Sequence, residues 1–124
     1  MSKKTRELMD VIRDGVEAVF TSQEYIEYLN FISKFPHYSP NNIMLIYRQK
    51  PDASFDASYS AWQKMGGAVK RGSHAIRIIA PHTTEDEDGK LQLGFHAASV
   101  FDISSVYGVE VPDPVKLLDG VVND

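Results

Sequence analysis

The sequence predicts an α+β domain in which N-terminal helices pack on a small antiparallel β-sheet. Three observations carry this. Apolar residues recur with a period near 3.6 up to Gly66, and they alternate with polar ones after Leu91. Between the two lies a β-branched run, Ala75-Ile76-Arg77-Ile78-Ile79-Ala80. Helices first and strands second, without βαβ alternation, is the order of an α+β fold. At 124 residues the chain has the size of one domain with a single modest core.

The elements follow in order. Leu8, Ile12, Val16 and Val19 give one apolar face to a helix over Thr5–Phe20, with Gly15 as its weak point. Thr21-Ser22-Gln23-Glu24 has the form of a capping box, with Phe20 and Tyr25 placed for a hydrophobic staple. It opens a second helix with the stripe Tyr25, Ile26, Leu29 and Ile32, ending near Lys34. Phe35-Pro36-His37-Tyr38 is a break, because proline restricts its predecessor and lacks an N–H.

Ser39-Pro40 starts a third helix, a hydroxyl cap followed by proline at the first helical position. Asn41 and Asn42 occupy its first turn, an unfavoured choice because their side chains compete for backbone groups. The apolar run Ile43–Tyr47 implies burial on most sides before the stop at Lys50-Pro51. Ser58 or Ser60 caps a short helix with Trp62 and Met65, halted by Gly66-Gly67. A basic turn over Val69–Ser73 leads into the strand Ala75–Ala80, ended by Pro81. Thr83–Lys90 reads as an acidic loop. Leu93, Phe95, Ala97, Ser99 and Phe101 alternate like a half-buried strand, so a hairpin is expected. The domain is placed at 1–111, with 112–124 as a tail or linker.

Composition excludes several classes of function. There is no cysteine, hence no disulfide scaffold, thiol nucleophile or Cys-ligated zinc. The charged N-terminus lacks the apolar core of a signal peptide, and no run approaches the roughly 18 apolar residues of a membrane span. A cytoplasmic location and no membrane partner are expected. HExxH, a phosphate-binding glycine loop and GxSxG are all missing, so no catalytic residue, metal or cofactor is assigned. A zinc site from His74, His82 and a carboxylate of the acidic loop is conceivable, but the spacing does not single it out.

The formal net charge is -4, yet it is unevenly spread. Residues 48–77 hold 6 basic against 2 acidic residues, whereas 82–124 hold 2 basic and 9 acidic. Local potential matters more than the sum when a polyanion is steered. In this region Arg48, Lys64, Lys70, Arg71, His74 and Arg77 can meet phosphates. Trp62 and Tyr38 can stack on bases, and Asn41, Asn42 and Gln49 can hydrogen-bond to them. Each has a plainer reading: Trp62 as a core anchor, the asparagines as ties to the preceding loop.

Three blocks in order carry a family resemblance: "FPHYSPNNIMLIYRQ" with the following "KPDA", "SAWQKMGGAVKRGSHAIRIIAP", and "VFDISSVYGVEVP". They resemble the N-terminal domain of ArdC-type antirestriction proteins over nearly the whole chain. The resemblance implies binding of DNA, chiefly single-stranded with double-stranded DNA as a second form, in a mobile-element antirestriction or DNA-processing protein. It also implies that a metallopeptidase-like domain follows in longer relatives. The chain departs from the usual pattern at Gly67, at Ser73-His74 and at Ser105-Val106. The competing expectation is a protein-interaction module using the acidic region after His82.

Overall fold

The computed structural model describes residues 2–109; the expected boundary at 111 and the tail at 112–124 lie outside them. Helix α1 (Lys3–Phe20) is capped by Ser2, whose side chain accepts from the Thr5 N–H. α2 (Tyr25–Ile32) and α3 (Pro40–Gln49) follow, then β1 (Asp56–Ala57), α4 (Tyr59–Lys64) and β2 (Ala68–Val69). The hairpin β3 (Ile76–Glu85) and β4 (Leu91–Asp102), a 3-10 turn and β5 (Val106–Tyr107) complete the domain. The architecture is α+β: a three-stranded antiparallel sheet ordered β1-β4-β3, and a two-stranded one formed by β2 and β5.

Two cores result. The larger joins α1, α2 and α3 to the base of the hairpin through Leu8, Ile12, Phe31, Leu45, Ile46, Ile78 and Val100. All of Ile43–Tyr47 is buried, as the apolar run implied. The smaller gathers Trp62, Ile103 and Val106, with Phe55, Val69 and Phe101 against them. Gly15 is no weak point. A Cβ there would stand 2.8 Å from the Met44 Sδ, so glycine lets α1 pack directly on α3.

Several expectations are corrected. The capping box does not form: Glu24 is in the helical region without a side-chain cap bond, and its carboxylate accepts from the Tyr47 hydroxyl instead. The staple contact between Phe20 and Tyr25 is present, with ring centroids 5.1 Å apart. α2 buries Tyr28 and Phe31, while Tyr25, Ile26 and Leu29 of the expected stripe are exposed. Aromatic packing wins here, because Tyr28, Phe31 and Tyr47 meet edge to face at centroid distances near 5 Å.

β3 does not stop at Pro81 but runs to Glu85. The hairpin register is continuous, and the Arg77 and Ile79 N–H groups point away from β4. By the period of two, the Pro81 nitrogen faces the same outer edge, so its missing N–H costs no ladder bond. The acidic loop shrinks to 86–90, closed by Asp86 accepting from the N–H groups of Asp88 and Lys90. In β4 the buried residues are Val100 and Asp102, not the alternate set expected. The cause is that β4 carries a core on each face at its end, Val100 in the larger and Phe101 against the smaller. No described helix is long and apolar enough to cross a membrane.

Candidate nucleic-acid interface

The loop between α2 and α3 stands over the hairpin. Ser39 caps α3 by accepting from the Asn42 N–H at 3.3 Å, with Pro40 behind it, as the sequence indicates. The Tyr38 hydroxyl donates to the Asp56 carbonyl at 2.8 Å, and its ring packs edge-on against buried Phe35. His37 beside it is exposed.

Two open clefts share His37, Tyr38 and Ile78. The first, about 390 Å³, extends over Phe55, Ala57, Ser58, Ala61 and Val100, with Lys34 also on its lining. The second, about 430 Å³, extends over Asn41, Asn42, Ala80, Pro81 and Phe95. Asp56 is the single acidic residue lining either cleft.

Asp56 is buried opposite Asp102 in the β1–β4 ladder. As an anion it finds no donor among the described residues, whereas once protonated it donates to the Asp102 carboxylate. Burial, then the hydrogen bond and charge of Asp102, push its pKa up to about 9. Burial also acts to raise Asp102. Donation from Asp56, Ser104 and the Ser54 and Ser104 N–H groups outweighs that and brings it down to about 2. The pair therefore shares one proton at neutral pH and presents no carboxylate to the cleft.

The structure brings only some of the residues expected to bind DNA together. Tyr38, Asn41 and Asn42 converge on the second cleft. The Asn42 amide is committed, however: its Nδ2 donates to the Ile79 carbonyl at 2.9 Å and its Oδ1 accepts from the Ile79 N–H at 3.0 Å. Gln49, two turns on, does the same to Arg77, accepting at 2.8 Å and donating at 2.7 Å. These amides satisfy the outer edge of β3 and leave Asn41 as the exposed asparagine of the turn.

Trp62 is fully buried and its Nε1 donates to the Phe101 carbonyl at 2.8 Å, which places it out of reach of a base and makes it a core anchor. Lys64 is exposed at the end of α4. Lys70 donates to the Ser104 carbonyl and lies 4.9 Å from the Tyr107 ring centroid, so the basic turn packs on residues 104–107. Arg71 and His74 are exposed around Gly72, whose φ of +83° the tight turn requires. Arg77 donates to Ser99 across the hairpin, and exposed Arg48 covers Gly15 with its methylenes. Ion pairs among the described residues join Arg13 to Asp10 and Asp14, and Lys50 to Asp52. They leave the basic residues of the expected interface unpaired within that set.

Sequence reasoning missed Lys34, His37, Phe55 and Phe95 as cleft residues. Adjacency of His37 to Tyr38 was the available signal. His82 does not meet His74; its Nδ1 lies 3.0 Å from that of His96, across Gly94. No three His, Asp or Glu side chains group as metal ligands among the described residues.

A family model for the N-terminal domain of anti-restriction factor ArdC matches residues 3–101. The chain belongs to this family. It is 31% identical over 86 residues to an uncharacterized protein of Bacillus anthracis, covering 68% of this chain and 15% of that one. The Mn(II)-bound crystal structure of antirestriction protein ArdC from plasmid R388 aligns with a TM-score of 0.56 at 16% identity. That alignment covers 86% of this chain and 41% of the ArdC chain, and it shows a shared fold. The chain thus spans less than half the length of these relatives. Gly67 and Val106 face each other beside Trp62: a Cβ on Gly67 would stand 2.8 Å from Val106 Cγ1. A valine in the small core goes with a glycine facing it.

Proposed function

We propose that this chain is the DNA-binding module, chiefly for single-stranded DNA, of a mobile-element antirestriction or DNA-processing protein, acting in the cytoplasm and performing no chemistry itself. The observation that supports the reading best is the pair of clefts at His37–Tyr38, in a member of the ArdC N-terminal family. They are walled by aromatic side chains and offer no exposed carboxyl oxygen. Lys34 on the cleft lining and Lys64 on α4, whose Ala61 lines the first cleft, supply charge for phosphates, with Arg71 in the turn before β3 as a further cation. A metallopeptidase-like domain in a longer protein is the partner this reading expects.

Fluorescence-anisotropy titration with single- and double-stranded oligonucleotides at two salt concentrations tests it. Binding should favour the single strand and fall steeply with salt. Arg71→Ala should weaken it and reduce the salt slope by about 1, while Asn41→Ala should weaken it at unchanged slope. Salt-independent or absent binding overturns the reading. The hairpin tip, with exposed Glu85, Glu87 and Asp88 near Leu91 and Leu93, then favours the protein-interaction reading.

A further inference from the structure

We propose that the two clefts flanking His37–Tyr38 each seat one base of the same DNA strand, with this segment wedged between successive nucleotides. The inference rests on the single-stranded-DNA reading and adds to it the seat of the bases.

Size and lining come first. Clefts of about 390 and 430 Å³ lie at the lower end of small-ligand sites. Their floors are apolar, with Ile78 and Val100 in one and Ile79 and Pro81 in the other, and each adds an aromatic ring, Phe55 or Phe95. A nucleobase presents two π faces and seats on such surfaces with little regard to sequence.

The shared wall is also fixed in advance. Tyr38 cannot swing aside while its hydroxyl is held by the Asp56 carbonyl and its ring lies 6.1 Å from the Phe35 ring at 71°. A wall already ordered spares the strand most of the entropy of arranging it.

Charge selects the occupant. An apolar peptide side chain would fit the floors equally well. A polyanion gains in addition from Lys34 and meets no opposing carboxylate, since both Asp56 carboxyl oxygens are buried in the wall. The acidic cluster at 85–88 sits on the hairpin tip, outside the lining of both clefts.

The test separates bases from phosphates. A single-stranded oligothymidylate of about twelve residues is compared with the same strand carrying abasic sugars at its centre, by anisotropy titration of the full chain. Phosphate number is unchanged, so the salt slope should be equal, but the abasic strand should bind at least about fivefold more weakly. On the protein side, Ala61→Leu extends from α4 into the first cleft and Ala80→Leu from β3 into the second. Each should weaken oligothymidylate binding about fivefold or more while barely affecting the abasic strand, once thermal melting shows it is folded.

If the abasic strand binds as well as the intact one, the clefts hold no bases and the inference is overturned. The same holds if the folded, cleft-filled variants match the parent. In both cases DNA binding itself survives on phosphate contacts. If the parent binds neither strand, the DNA reading falls and takes this inference with it.

Discussion

The base and the tip of the β3–β4 hairpin are made of the same two strands in one unbroken register, yet they are different materials. At the base, Ile76, Ile78 and Val100 are buried, β1 pairs with the far side of β4, and side-chain amides close the outer edge of β3. At the tip, Leu91 and Leu93 are 74% and 69% exposed and belong to neither core. The ladder is equally complete in both. An isolated two-stranded hairpin is marginal in water, so what lies on a ladder, more than the ladder itself, decides how firmly it holds.

The largest expected effect breaks the base. Ile78→Ala removes a side chain shared by the main core and both clefts, and should cost about 2–5 kcal/mol in a denaturant titration. A loss near zero would mean that the base is no better supported than the tip.

The acid pair tests the β1 side of the base through pH. Asp56 has a folded pKa of about 9 against an ordinary 3.8, so the folded chain keeps a proton the unfolded chain has released. Its contribution is full below the unfolded value and drains away as pH rises toward 9. The unfolding free energy should therefore fall steadily from about pH 5 to pH 8, by at most about 1.4 kcal/mol per pH unit, and the melting temperature should fall with it. Asp56→Asn, which donates to Asp102 at every pH, should flatten that slope and raise stability on the alkaline side. Asp102 acts in the opposite sense and only in acid, its contribution being lost as pH drops toward its own value of about 2.

Smaller effects belong to the outer edge. Asn42→Ala strands the half-buried Ile79 N–H and carbonyl and should cost about 1–3 kcal/mol. Gln49→Ala, whose bonds to Arg77 are more exposed, should cost about 0.5–1.5 kcal/mol. Hydrogen exchange at the Ile79 and Arg77 amides reads both directly. The smallest effect sharpens the contrast: Leu91→Thr and Leu93→Thr at the tip should stay within about 0.5 kcal/mol of the parent. A loss of several kcal/mol there would reveal packing at the tip that the exposure values deny.

The same contrast marks how much was legible in the sequence. Ser39-Pro40 and the Ile43–Tyr47 run announced α3 because cap and period act locally. β3 was cut short at Pro81 because the rule against proline in strands holds only for nitrogens facing a neighbour, and that orientation is set by pairing. The two-residue strands β1, β2 and β5 are too short to show a period. At the second cleft, Tyr38 and Asn41 were legible as aromatic or polar residues beside a helix start. The commitment of Asn42 and Gln49 to β3 was not, since partners so distant in sequence leave no local trace. The Asp56–Asp102 pair was hidden for the same reason, and Trp62 fell to the plainer of its two readings.

The amides on β3 have one more consequence. An unpaired strand edge invites a strand from another copy of the chain, and many proteins deter this with lysines whose repulsion fades as salt rises. Here the deterrent is neutral. Asn42 and Gln49 occupy the edge as a short stand-in strand, and Pro81 withholds the next donor. Such a guard works at any ionic strength and adds no charge beside the second cleft. It makes α3 at once a core helix, a flank of the cleft and a cover over the base of that strand edge.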